Sequence, residues 1–174
     1  MRRADFASLL AVVPCVVLLG ACAGTDLKPI ASFGASNYIS PSGYSETKIS
    51  DTQYQVKAVG TEATPKARIE KIARARAAQI GIEDKLKFYK VTNVQFAVVC
   101  SKKHEFYKGG AIQPGSRQSV LIDVLYAKDR VDPTYMSVQE SFDALNTEIS
   151  NEVIPVEDKT VAEQEARTAC GQAT

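Results

Sequence analysis

Cys100 and His104 are the residues of this sequence best suited to covalent chemistry. A thiol four positions from the only histidine in the chain could lose its proton to the imidazole and act as a nucleophile. Cys170 opens two further possibilities: a disulfide with Cys100, or a zinc site shared with Cys100 and His104. The zinc reading lacks the closely spaced ligand pairs that such sites use, and it leaves the chain with no assigned metal or cofactor. The thiol reading is weakened by "FAVV" just before Cys100, which looks like a buried strand and a poor setting for an attacking thiolate.

Which of these holds depends on the compartment, and the start of the chain bears on that. Arg2 and Arg3 give a positive opening, residues 6–19 are apolar apart from Ser8 and Pro14, and Gly20 and Ala21 are small. The apolar run is too short for a membrane-spanning helix, which needs about 20 residues. Leu19-Gly20-Ala21-Cys22 resembles the lipobox of bacterial lipoproteins. That resemblance implies that residues 1–21 are a signal peptide and that Cys22 becomes the acylated first residue. At about 0.8 kcal/mol per buried methylene, three acyl chains amount to roughly tens of kcal/mol, so the anchor would hold. Ala23, where an aspartate would mark inner-membrane retention, implies the periplasmic leaflet of the outer membrane. Cys15 leaves with the leader, so Cys100 and Cys170 remain as an even pair in an oxidising space and the disulfide is favoured. Closing so long a loop would contribute about 4 kcal/mol.

Charge excludes another class. The full chain has 21 basic and 20 acidic residues; without Arg2, Arg3 and Asp5 the remainder holds 19 of each. A neutral domain lacks the basic excess that a nucleic-acid partner demands.

The elements that must position these residues are read from periodicity. Residues 22–42 are rich in Gly, Ser, Pro and Asn and predict a flexible tether after the lipidated Cys22, with one folded domain over 43–174. "GYSETKIS" and "YQVKAVG" predict an antiparallel hairpin that places Tyr54, Val56 and Ala58 on one face. From Thr64 as N-cap to Gly81 as C-terminal stop, Ile69, Ile72, Ala73, Ala77 and Ile80 share one side of an amphipathic helix. Arg76 falls on that apolar side and needs a partner or a path to water. "KFYKVTNVQFAVVC" and "SVLIDVLYA" are the strongest strands, and helices are expected near 135–150 and 158–169. The order predicts an α+β two-layer sandwich, an antiparallel sheet of about four strands packed on helices.

Between the two strong strands, residues 101–117 read as a long polar loop. Lys102, Lys103, Lys108 and Arg117, interleaved with His104, Phe106 and Tyr107, form a candidate binding loop for an anionic or acidic surface.

"GYSETKISDTQYQVKAVG", a helix containing "RARAAQ" and then "KFYKV" together resemble a family of small Gram-negative envelope lipoproteins of uncharacterised function. The likeness covers roughly residues 43–91 and falls on Gly43, Tyr44, Ser45, Glu46, Tyr54, Val56, Arg76, Ala77 and Ala78. It implies no chemical role for any of them, and the 101–117 segment and Cys170 depart from the pattern. Glu46 and Arg76 are expected to form a structural ion pair between strand and helix.

No Gly-rich phosphate loop, metal-spaced histidine pair or Gly-x-Ser-x-Gly elbow occurs. The expectation is therefore a non-catalytic, lipid-anchored interaction module for an envelope protein or cell-wall polymer. The alternative is a glycan-cleaving cell-wall enzyme or its accessory, and a purely structural surface antigen is a third reading.

Overall fold

Strand period and helix period alternate along the chain, and the computed structural model follows that alternation. It describes residues 31–36, 42–101, 104–105, 111–112 and 115–172. The hairpin comprises β1 (Gly43–Ser50) and β2 (Gln53–Val59); helix α1 (Lys66–Glu83) follows. Strand β3 (Phe88–Ser101) leads to a two-residue ribbon, β4 (His104–Glu105) with β5 (Ala111–Ile112), and then to β6 (Gly115–Ala127). The short β7 (Met136–Ser137) runs into α2 (Val138–Asn151), and α3 (Val156–Ala169) ends the fold. The architecture is α+β: a five-stranded antiparallel sheet in the order β1-β2-β6-β3-β7, packed with three helices.

The central strand shows why the sheet has an inside. Along β6, Val120, Ile122, Val124 and Tyr126 alternate onto the helix-covered face and are buried; Leu121, Asp123 and Leu125 face the other way. Opposite them, Val56 pairs with Ile122 and Ala58 with Val120, so two alternating strands present one continuous apolar surface. On the open face a single carboxylate ties three strands together. Asp123 accepts from Gln55 Nε2 and Asn93 Nδ2, both at 3.0 Å.

Helix α1 differs from the simple amphipathic helix expected. Ile69, Ile72, Ala73 and Ile80 face the sheet, yet Arg68, Ala75 and Ala78, on the far side at 100° per residue, are buried too. The reason is α2, which runs antiparallel along α1: Arg68 meets Ile149 and Glu152 at one end, and Gly81 meets Val138 at the other. Small alanines let the two helix backbones approach.

Gly81 is therefore inside the helix and is not its stop. A Cβ there would lie 2.5 Å from Val138 Cγ1 and 3.2 Å from Tyr126 Cε1, so the position is glycine because two elements cross on it. The turn out of the helix comes later, at Lys85 with φ 57°, where Leu86 N–H bonds to Gly81 O at 2.8 Å. At the other end Thr64 does not cap the helix from its expected place. Its hydroxyl instead accepts from the backbone of Thr61 and of Ala31, each at 2.9 Å.

That last contact revises the tether. Residues 31–36, expected within it, lie against the domain: Ala31 is buried, Phe33 packs 5.1 Å from the Tyr44 ring, and Ala35 bridges to Tyr44. Composition concealed two apolar anchor points in a Gly- and Ser-rich stretch. The loop expected over 101–117 is likewise shorter, because Gly115, Ser116 and Arg117 already belong to β6 and Ser101 to β3.

Because Gly81 sits at the crossing, Gly81→Ala is expected to lower stability by about 1–3 kcal/mol through overpacking, despite alanine's better helix propensity. Urea unfolding measures it. An unchanged or raised midpoint would contradict the close approach.

Candidate functional site

Three clusters and one open edge hold the polar chemistry of the domain. The first cluster surrounds Arg76, which α1 points towards β1. Its side chain is only 11 % exposed and carries two carboxylates: Glu46 at 2.7 Å from Nη2 and Glu83 at 2.8 Å from Nη1. The guanidinium also stands 5.1 Å from the centre of the Tyr44 ring. Burial alone would push the arginine's pKa down, but hydrogen bonds and charge from Glu46 and Glu83 outweigh it and raise the value. Glu46 and Arg76 thus meet as strand and helix partners, with Glu83 as a third member that helical spacing of seven residues could have indicated.

The second cluster was not anticipated. Arg68 is 6 % exposed and donates Nε to Ala31 O at 2.9 Å, Nη1 to Ile149 O at 3.1 Å and Nη1 to Glu152 Oε2 at 2.8 Å. Lys71 reaches the other Glu152 oxygen at 2.7 Å and also pairs with Glu148. Burial would raise the Glu152 pKa, yet Lys71 and Arg68 bring it below the usual carboxylate range. A carboxyl depressed in this way stabilises the fold above its unfolded pKa, and that contribution disappears as pH falls through the folded value.

The third feature is covalent. Cys100 and Cys170 form a disulfide with Cα atoms 5.6 Å apart across a sequence separation of 70. Both sulfurs are committed, so the bonded form offers neither a thiolate for His104 nor a thiolate pair for zinc. The bridge fastens α3 to β3, and α3 needs it: only Ala162, Glu163 and Ala166 of that helix are buried, with Lys66–Glu165 at 2.8 Å adding an exposed ion pair.

The open edge belongs to β3. β7 pairs with Phe88 and Tyr89 only, so residues 90–101 have no further strand beside them among the described residues. The run "FAVV", expected to be buried, lies on this edge; Phe96 is 44 % exposed and Ala97 is exposed. Residues 94–100 contain no charge. At the opposite edge β1 carries Glu46 and Lys48 and is bridged by Ala35, the protection that sheet edges usually have.

Cys22, and with it the lipidation motif, lies outside the described residues, as do Lys102, Lys103, Phe106, Tyr107 and Lys108. His104 is placed by its backbone in the ribbon, paired with Ile112. Arg117 is a strand residue, paired with Val99. Among the described residues no three His, Cys, Asp or Glu side chains converge as metal ligands, and no helix is long and apolar enough to cross a membrane. A shallow hollow of about 490 Å³ between α1 and α3 is lined by Lys66, Val161, Gln164, Glu165, Thr168 and Ala169, and its one carboxylate is already paired with Lys66. No protein-family model, curated protein or solved structure matches this chain.

A double-mutant cycle of Arg76→Met and Glu46→Gln is expected to give a coupling of about 0.5–1 kcal/mol, since Arg76 is shielded from water while Glu46 stays partly open to it. Urea midpoints of the four proteins measure it. Additive effects would mean that the contact carries no stability of its own.

Proposed function

We propose that the chain is an envelope lipoprotein, acylated at Cys22, whose domain is a non-catalytic interaction module for an envelope protein or cell-wall polymer. The Leu19-Gly20-Ala21-Cys22 motif after a short apolar run supports the anchor. The observation that carries the module is the β3 edge, which no further strand covers among the described residues: residues 90–101 present backbone donors and acceptors along it, and residues 94–100 hold no charge to repel an incoming strand.

An extended partner segment would add to this edge through main-chain hydrogen bonds, with Phe96 supplying an apolar contact. The disulfide supports that role by pinning the end of β3 at Cys100, so the edge is presented rigidly. The neutral charge balance gives no reason to invoke electrostatic steering.

Two measurements test the proposal's two halves. The intact mass of protein extracted from envelopes is expected to match a triacylated chain starting at Cys22, gaining two hydrogens on reduction; an unacylated mass would refute the anchor. A photo-crosslinker at Gln95 is expected to capture one defined envelope component, and Ala97→Lys to abolish that capture. A crosslinker at Gln139 on α2 serves as control. Equal capture from Gln139, or capture indifferent to Ala97→Lys, would refute the edge.

A further inference from the structure

We infer that the turn joining α2 to α3, with Val153 and Val156 at its tip, rests on the lipid bilayer to which the chain is anchored. The inference builds on the acylation of Cys22 proposed above. Its occupant is the apolar layer of the membrane surface, and three observations point to it.

The first is chain length. Residues 31–36 belong to the domain, so nine residue steps separate Cys22 from Ala31. Fully drawn out at roughly 3.3–3.6 Å per step, that stretch reaches about 30 Å. The domain therefore stays within about its own diameter of the acyl chains, and the end of the domain that receives the tether is the end they reach most readily.

The second is where the tether enters. Arg68 holds Ala31 O through Nε at 2.9 Å and Glu152 Oε2 through Nη1 at 2.8 Å. Glu152 is the C-cap of α2, and Val153 is the next residue. One guanidinium thus joins the entry point of the tether to the start of the turn.

The third is what the turn displays. "VIPV", residues 153–156, contains no charge; Val153 is 88 % exposed, Val156 is 52 % exposed and Pro155 is exposed. Val153 has the highest exposure of the large apolar side chains among the described residues. A bilayer interface would cover it. Ile49 and Val131 are exposed too, but Ile49 sits in the last residues of β1 and Val131 lies beyond the end of β6, and the nine steps from Gln118 to Ala127 alone measure about 30 Å along the strand. That end is the one farther from the point where the tether enters.

Among the described residues, the charges next to Val156 are Glu157 and Asp158 in the first turn of α3, so the turn itself does not select an anionic surface. Contact with zwitterionic lipid should be as good, and insensitive to salt.

The chain has no tryptophan, so one can be introduced as a reporter. Acylated, full-length V153W and V131W are reconstituted into vesicles of phosphatidylcholine and phosphatidylethanolamine, some of the phosphatidylcholine carrying bromine on its acyl chains. Indole emission is then compared with bromine-free vesicles, and flotation reports attachment separately. V153W is expected to be quenched about twofold or more relative to V131W, with no change in high salt. V156W, a second exposed position on the turn, is expected to follow V153W. Protein that floats but shows no quenching at 153 and 156, or equal quenching at 131, overturns the docking while leaving the anchor intact. Protein that fails to float refutes the anchor and the docking together.

Discussion

A guanidinium almost cut off from water has to be met by acceptors on its own side of the fold, and Arg68 is met by three. Ala31, Ile149 and Glu152 come from the N-terminal segment, the body of α2 and its C-cap, while Arg68 itself belongs to the first turn of α1. Separating any of these elements would strand a buried cation or expose unpaired carbonyls, at a cost of several kcal/mol. The packing of α2 on α1 and the seating of Ala31 both depend on it. Lys71 strengthens the same node from one turn further along by taking the second oxygen of Glu152.

The sheet that these helices cover has two unlike edges, and the difference gives the domain a direction. β1 is guarded by charge and by the Ala35 bridge, and its Glu46 pairs with Arg76. β3 is guarded over its first two residues and left open after them. The Cys100–Cys170 bridge secures the helix α3 on which few apolar side chains are buried. The lipid-anchored module proposed above needs one end near the membrane and another surface free for partners; the Arg68 node and the β3 edge are the features that support that proposal.

Much of this could be read from the residues. Alternation in "YQVKAV" and "SVLIDVLYA", the 3.6-residue spacing of the first two helices and the Ala- and Glu-rich composition of the third set the α+β order, because alternation and helical spacing are what burying one face requires. Arg76 announced a partner by standing among isoleucines. Arg68 gave no such sign: at the first turn of a helix it reads as one more exposed cation, and its burial depends on α2, eighty residues away, lying over it. The alanines at 75 and 78 were the available clue to that second contact. "FAVV" was apolar because it forms an uncharged edge, whereas a strand at the centre of a sheet has the same composition. Residues 31–36 were hidden by their glycine and serine neighbours, since composition reports average flexibility and two packed side chains suffice to cancel it.

Hydrogen exchange at residues 31–36 tests the node most directly. Ala31 N–H is bonded to Thr64 Oγ1 and Ser36 N–H to Tyr44 O, so both amides are expected to be protected in the native protein. In Arg68→Met, protection at Ala31 is expected to fall while the central amides of β6 remain protected. Exchange of Ala31 and Ser36 at the rate of an unstructured chain in the unmodified protein would contradict the account, because the N-terminal segment would then not be held by Arg68 and would reach the domain only at Gly43.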